Sequence, residues 1–359
     1  VTRWIRASMR RAPCGGGDAS IGRPGRICQP SGHRGGARRA GRGRSAARLA
    51  GMTAHRQARL LVAATRLLGA LPWPVVYALG DGIAALWRLG DARESRVARR
   101  NLELAFPEVQ GAERDALHRR ILRTTARQAL ETLKLWTRPP AENLALIREA
   151  HGVAHYDQAL AAGRRVVVAA PHFGNWELLN QWLASRGPIA IVYRPPDSAV
   201  GDEFLQQVRG VDNVRQVRAE GAAVRQLWKT LKDGGAVGIL PDQQPKAGDG
   251  EFAPFFGVQA LTMTLLSRLA ERTGAPVLLA WCERIGDGPG FALHVEPAPA
   301  AIGDPDPVAA VACLNAEVER ITRRDPSQYQ WTYKRYTLRP PGSGEINPYE
   351  RREWAKRPA

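Results

Sequence analysis

The chain holds 359 residues, 44% hydrophobic and 24% charged, a globular balance that excludes a wholly disordered polypeptide. A mean hydropathy of −0.32 excludes a many-spanning transporter. Four cysteines (Cys14, Cys28, Cys282, Cys313) without a CxxC spacing exclude a disulfide scaffold and predict a reducing compartment. The net charge of +18 is unevenly spread. Residues 1–51 carry 12 Lys and Arg against Asp18 alone, residues 52–140 carry 15 basic against 8 acidic, and residues 141–359 carry 25 of each. That distribution argues against a uniformly basic nucleic-acid module, and no nucleic-acid partner is expected.

Residues 1–51 are rich in Gly, Arg, Ala and Ser and show neither helical nor strand period. They read as a disordered basic tail or as translated sequence ahead of a start at Met52. No apolar core of a secretory signal is present among them. From Leu60 to Leu89 the chain is mostly apolar, broken by Arg66 and Asp81. Its longest uncharged run, Leu67–Gly80, at about 1.5 Å per residue falls short of a ~30 Å hydrocarbon core. With Pro72 and Pro74 inside it, the segment predicts two short helices lying in a membrane interface. Trp73, Tyr77 and Trp87 would sit at headgroup depth, and Arg88, Arg93, Arg96, Arg99 and Arg100 would face anionic lipid. An apolar hairpin in a soluble core is the alternative.

Residues 93–150 read as helical, with apolar residues three and four apart over Arg114–Trp136 and a break at Pro139-Pro140. Beyond it, strands are predicted at Val166–Ala170, Ile189–Tyr193, Ala236–Leu240, Val277–Trp281 and Phe291–Val295. Helices are predicted near 176–185, 201–210, 221–232, 259–273 and 307–324. This alternation of near-continuous apolar strands with helices predicts an α/β domain with a buried sheet. The expected organisation is a helical membrane-associating region over 52–140, an α/β domain over 141–340 and a loose tail over 341–359.

The sharpest motif is Val166-Val167-Val168-Ala169-Ala170-Pro171-His172-Phe173-Gly174-Asn175-Trp176-Glu177. An apolar strand ends, His172 follows, and a small-residue turn leads into a helix, which puts His172 at the sheet edge where α/β ligands collect. Glu177, in the helix's first turn, is expected to fold back onto an imidazole nitrogen and fix its tautomer. The other nitrogen would then be free to take a proton from a hydroxyl. On spacing alone the histidine reads equally as a turn cap. His151 and His155, spaced H-x3-H, read as a surface helix rather than a metal site. Tyr329, Trp331 and Tyr333 alternate like one face of a half-buried strand. Cys282 and Cys313 read as buried small hydrophobes. No G-x-S-x-G nucleophile elbow occurs.

The motif has specific company: Arg100-Asn101-Leu102-Glu103-Leu104-Ala105-Phe106-Pro107-Glu108 upstream, then Val192-Tyr193-Arg194-Pro195, Leu240-Pro241-Asp242-Gln243-Gln244, Pro254-Phe255-Phe256-Gly257, Gly274-Ala275-Pro276-Val277 and Tyr329-Gln330-Trp331-Thr332-Tyr333-Lys334-Arg335. In this order, from about Met52 to Arg339, the set resembles the bacterial lipid A biosynthesis lauroyl/myristoyl (late) acyltransferases. The resemblance implies an αβα sandwich of the glycerol-phosphate-acyltransferase-like type. It also implies acyl transfer from a thioester, on acyl carrier protein or coenzyme A, to a hydroxyl of a lipid A precursor at the cytoplasmic face of the inner membrane. His172 would be the general base and Glu177 its partner. The substrate-binding candidates are Arg194, Asp242, Asn175, Trp176, Phe255, Phe256 and Gly257. Arg194 suits an oxyanion or phosphate donor, or else a strand-end ion pair with Asp242. Phe255, Phe256 and Gly257 would wall the cleft or simply pack the core. No metal, other cofactor or covalent acyl-enzyme is implied. The Gly174-Asn175-Trp176 filling of the first motif is a variant shared with mannoside-acylating relatives. It leaves the acceptor open among lipid A precursor, phosphatidylinositol mannoside and lysophospholipid. A non-enzymatic basic membrane-binding protein is the remaining alternative.

Overall fold

The computed structural model describes residues 55–163, 165–193, 195–196, 198–209, 213–218 and 223–350. The predicted basic tail and Arg194 lie outside these residues. Helix α1 (His55–Ala70) meets α2 (Trp73–Leu89) at a bend of 110°, where Pro72 and Pro74 end one helix and start the next. No single described helix is long and apolar enough to cross a membrane. Then follow α3 (Arg93–Ala105), α4 (Gly111–Leu135), α5 (Pro140–Leu144), β1 (Ile147–His151), α6 (Ala154–Ala161), β2 (Val166–Ala169), α7 (Trp176–Arg186), β3 (Ile189–Tyr193), α8 (Ala199–Arg209), β4 (Val214–Arg218), α9 (Ala223–Lys232) and β5 (Ala236–Ile239). The chain continues through β6 (Gly250–Phe255), β7 (Val258–Met263), α10 (Leu265–Thr273), β8 (Val277–Ile285), β9 (Gly290–Pro297) and α11 (Pro307–Thr322).

Seven strands form one sheet in the order β1-β9-β8-β2-β5-β3-β4, parallel at every pairing except β8 with β9. Both faces are covered, which is why the central strands read as unbroken apolar runs. Val166 and Val168 point into a core shared with Leu178, Leu179, Trp182 and Leu183 of α7. Val167 and Ala169 point the opposite way, among Leu227, Leu231, Leu269, Leu314 and Val318 of α9, α10 and α11. Val97, Leu102, Ile121 and Leu122 of α3 and α4 join that second core. The helical region over 52–140 and the sheet thus share one core.

Several expectations are corrected. β1 lies inside the segment read as helical. It is an edge strand of mostly exposed side chains, so only its pairing with β9 identifies it. The predicted helix 259–273 starts only at Leu265, because Val258–Met263 pairs with Gly250–Phe255 in a hairpin. Tyr329, Trp331 and Tyr333 form no strand. They follow a short 3-10 turn, and their segment pairs only through the single bridge Phe173–Tyr329. His151 ends β1 and stacks on His294, whereas His155 belongs to α6, so the two do not share a helix. The tail is not wholly loose either. Tyr349 is buried and its hydroxyl donates to Asn101 Oδ1 at 2.5 Å.

Candidate active site

Two adjacent strands build the site. β2 and β5 run parallel, with Ala169 level with Ile239. Each then continues through a small or apolar residue and a proline, Ala170-Pro171 and Leu240-Pro241, so His172 and Asp242 emerge side by side at the C-terminal edge. The His172 ring Nδ1 lies 2.7 Å from Asp242 Oδ1, and the His172 backbone N–H donates to Asp242 Oδ2 at 2.9 Å. Burial alone would raise the Asp242 carboxyl, but the His172 charge and its hydrogen bonds outweigh that and hold it below the ordinary carboxylate range. An ionised carboxylate only accepts, so Nδ1 carries a proton; in the neutral ring Nε2 is then the acceptor. Burial, and the neighbouring Asp242 charge, push the Tyr329 hydroxyl well above the usual tyrosine range.

Glu177 is not the imidazole's partner. It sits in the first turn of α7, where Trp136 Nε1 donates to Oε2 at 2.9 Å and Arg209 binds both carboxylate oxygens. Both His172 nitrogens are occupied by other groups: Asp242 at Nδ1 and the Gln243 amide, 3.1 Å away, at Nε2. The five-residue spacing was read within one turn, whereas the pairing runs across the sheet between residues 70 apart.

The loop beyond β2 is tightly determined. Gly174 has φ +61°, and a Cβ there would stand 1.9 Å from the Cys282 carbonyl oxygen. Gly174→Ala is therefore expected to destabilise by about 2 kcal/mol or more, and to move His172 off Asp242. A lowered urea midpoint together with lost activity would check this. Asn175 caps α7, its side chain accepting from the Leu178 N–H at 3.0 Å, and donates through Nδ2 to Glu131 Oε2 at 3.1 Å. Asn175 is fully buried, and both of these bonds fix the loop's shape. The Trp176 ring meets the His172 ring edge-on at 4.9 Å.

Phe255 and Phe256 are buried, and Phe255 packs against Tyr329 at 5.9 Å between ring centroids. Phe256 and Gly257 are the two positive-φ residues of the β6–β7 turn, and Phe256 packs on Phe106 and Trp331 inside the core. A broad depression of about 1030 Å³ lies at the opposite sheet edge, around Arg165, Lys232 and Pro276. The dyad does not line it. Among the described residues no three His, Cys, Asp or Glu side chains gather to hold a metal. Sequence reasoning gave no role to Gln243, Gln330 or Tyr329; the available signal was that Gln243 follows a Pro-Asp at the same offset as Pro-His.

A buried imidazole held by a carboxylate on the rim of a parallel-dominant α/β sheet is an arrangement chemically able to accept a proton from a hydroxyl. The profile of the family described as bacterial lipid A biosynthesis acyltransferase matches residues 50–337. The chain is 30% identical over 281 residues to the lipid A biosynthesis palmitoleoyltransferase of Escherichia coli K12, covering 77% of this chain and 89% of that one. It is 30% identical over 273 residues to the lauroyltransferase of the same organism, covering 76% and 88%. To the myristoyltransferase of that strain the identity is 26% over 267 residues, covering 74% and 81%. The chain belongs to the bacterial lipid A biosynthesis acyltransferase family, and is an enzyme that transfers acyl groups.

Proposed function

We propose that the enzyme moves a fatty acyl chain from a thioester, on acyl carrier protein or coenzyme A, to a hydroxyl of a lipid A precursor at the cytoplasmic face of the inner membrane, on a fold of the glycerol-phosphate-acyltransferase-like type. The observation that carries this reading is the buried His172–Asp242 pair. His172 Nε2 takes the hydroxyl proton while the alcohol oxygen bonds to the thioester carbonyl carbon. The C–S bond then breaks, and the imidazolium returns its proton to the departing sulfur. Asp242 stabilises that imidazolium as it forms. Lipid A isolated from cells with and without the gene, compared by mass spectrometry, tests the acceptor. The expected difference is one acyl chain; unchanged lipid A beside a newly acylated phospholipid would redirect the reading.

The membrane association rests on the outer faces of α1 and α2. Leu60, Leu61, Leu67, Leu68, Val75, Leu79, Leu86 and Leu89 are exposed there, beside the exposed Arg56, Arg59, Arg66 and Arg88. Of the aromatics expected at headgroup depth, Tyr77 is instead buried under the Arg127 guanidinium, 4.7 Å from its ring centroid. Trp73 and Trp87 stay half-buried, and the exposed leucines supply the rest of the contact. Leu86→Asp combined with Leu89→Asp is expected to leave much of the protein unbound when floated with anionic vesicles, while the parent chain rises with them. Equal flotation of both would remove this face from the interface.

A further inference from the structure

We propose that Gln243 guards the reactive nitrogen of His172, denying it to water until the acceptor hydroxyl displaces the amide. The inference rests on the general-base reading above. Gln243 Nε2 stands 3.1 Å from His172 Nε2 and 3.1 Å from Gln330 Oε1, so both N–H bonds of the carboxamide have acceptors. Gln330 is tied to the same loop as the base, because its backbone N–H donates to the His172 carbonyl at 3.1 Å. Guard, anchor and base are thus held as one unit. Gln243 also adjoins Asp242, so one strand end supplies the partners of both imidazole nitrogens. The ring is otherwise enclosed: His172 is 8% exposed, and Trp176 covers its edge.

The chemistry explains why such a guard is useful. A base that takes a proton from an alcohol takes one equally from water. Water oxygen then bonds to the thioester carbonyl carbon, the C–S bond breaks, and the proton passes through Nε2 to the sulfur, releasing free fatty acid and thiol. Only the attacking oxygen differs from productive transfer. A neutral amide–imidazole hydrogen bond is strong enough to hold the lone pair against passing water, and weak enough for a bound, oriented hydroxyl to replace.

The test uses purified full-length enzyme in detergent with dodecanoyl thioesters of acyl carrier protein and of coenzyme A. Thiol release is measured without acceptor, and acylated product with the lipid A precursor added. Gln243→Ala is expected to raise acceptor-independent release by roughly three- to tenfold without raising transfer, so the hydrolysis-to-transfer ratio increases. Gln330→Leu, which removes the anchoring oxygen but leaves the amide, should move the ratio the same way by less. It stands in should Gln243→Ala fail to fold by thermal melting. Gln243→Glu should suppress both reactions, because a carboxylate at Nε2 retains the proton there. An unchanged ratio in Gln243→Ala and Gln330→Leu overturns the guard. His172→Ala separates the two claims: if it transfers normally, the general-base reading falls, whereas an inactive His172→Ala with unchanged ratios in the other variants removes the guard alone.

Discussion

His172→Ala is expected to lower acyl transfer by about two orders of magnitude or more, the usual scale for loss of a general base. Asp242→Asn is expected to lose on the order of 10²-fold or more, because an amide facing Nδ1 stabilises neither the required tautomer nor the imidazolium. Glu177→Gln leaves Asp242 in place and disturbs only Trp136 and Arg209, so it should cost less than Asp242→Asn. A larger loss of transfer with Glu177→Gln than with Asp242→Asn would reassign the dyad. Stability depends on pH through the same Asp242 carboxylate. The depressed Asp242 carboxyl contributes stability that is fully present above its unfolded value of about 3.9 and lost as the pH falls through the lower folded value. Asp242→Asn should therefore unfold with a flatter acid dependence.

Glu131→Ala is expected to destabilise the fold by about 3–5 kcal/mol, the scale for breaking a buried ion pair by removing one member. Glu131 is fully buried on α4, and the Arg284 guanidinium of β8 binds both its oxygens. Burial disfavours the Arg284 charge; the Glu131 carboxylate more than restores it. Without that carboxylate the arginine would be a lone charge inside the protein. The same carboxylate accepts from Asn175 Nδ2, so the α7 cap and the His172 loop loosen together. Urea unfolding measures the stability loss. Residual transfer in the folded fraction separates it from a catalytic effect: a midpoint within error of the parent chain would mean that water reaches Arg284 and replaces the lost partner.

What the sequence disclosed depended on where each residue's partner lies. The central strands were legible because burial on both faces leaves short apolar runs rich in β-branched residues between helical stretches. Ile189–Tyr193 falls where it was predicted, and β2 and β5 are each shorter by one residue. The edge strands β1 and β4 were not legible. Their side chains, such as Arg148, Glu149, Arg215 and Arg218, face solvent and signal no sheet. The β6–β7 turn escaped notice because Phe256 occupies a positive-φ position where Asn, Asp or Gly is the usual mark. His172 was found from its own surroundings, whereas its partner was sought among its chain neighbours. Across the sheet, Ala170-Pro171-His172 and Leu240-Pro241-Asp242 are the same construction on neighbouring strands. Reading the two together would have paired them. Tyr77 looked like an interfacial aromatic because only the packing of α2 on α4 reveals Arg127 above it.

The equal overhang of β2 and β5 means that the imidazole and the carboxylate facing it arrive on separate stretches of the polypeptide and meet only where the middle of the sheet zips together. On the reading proposed above, a one-residue insertion in either overhang would part the two groups and is expected to abolish transfer while leaving the layers beneath intact.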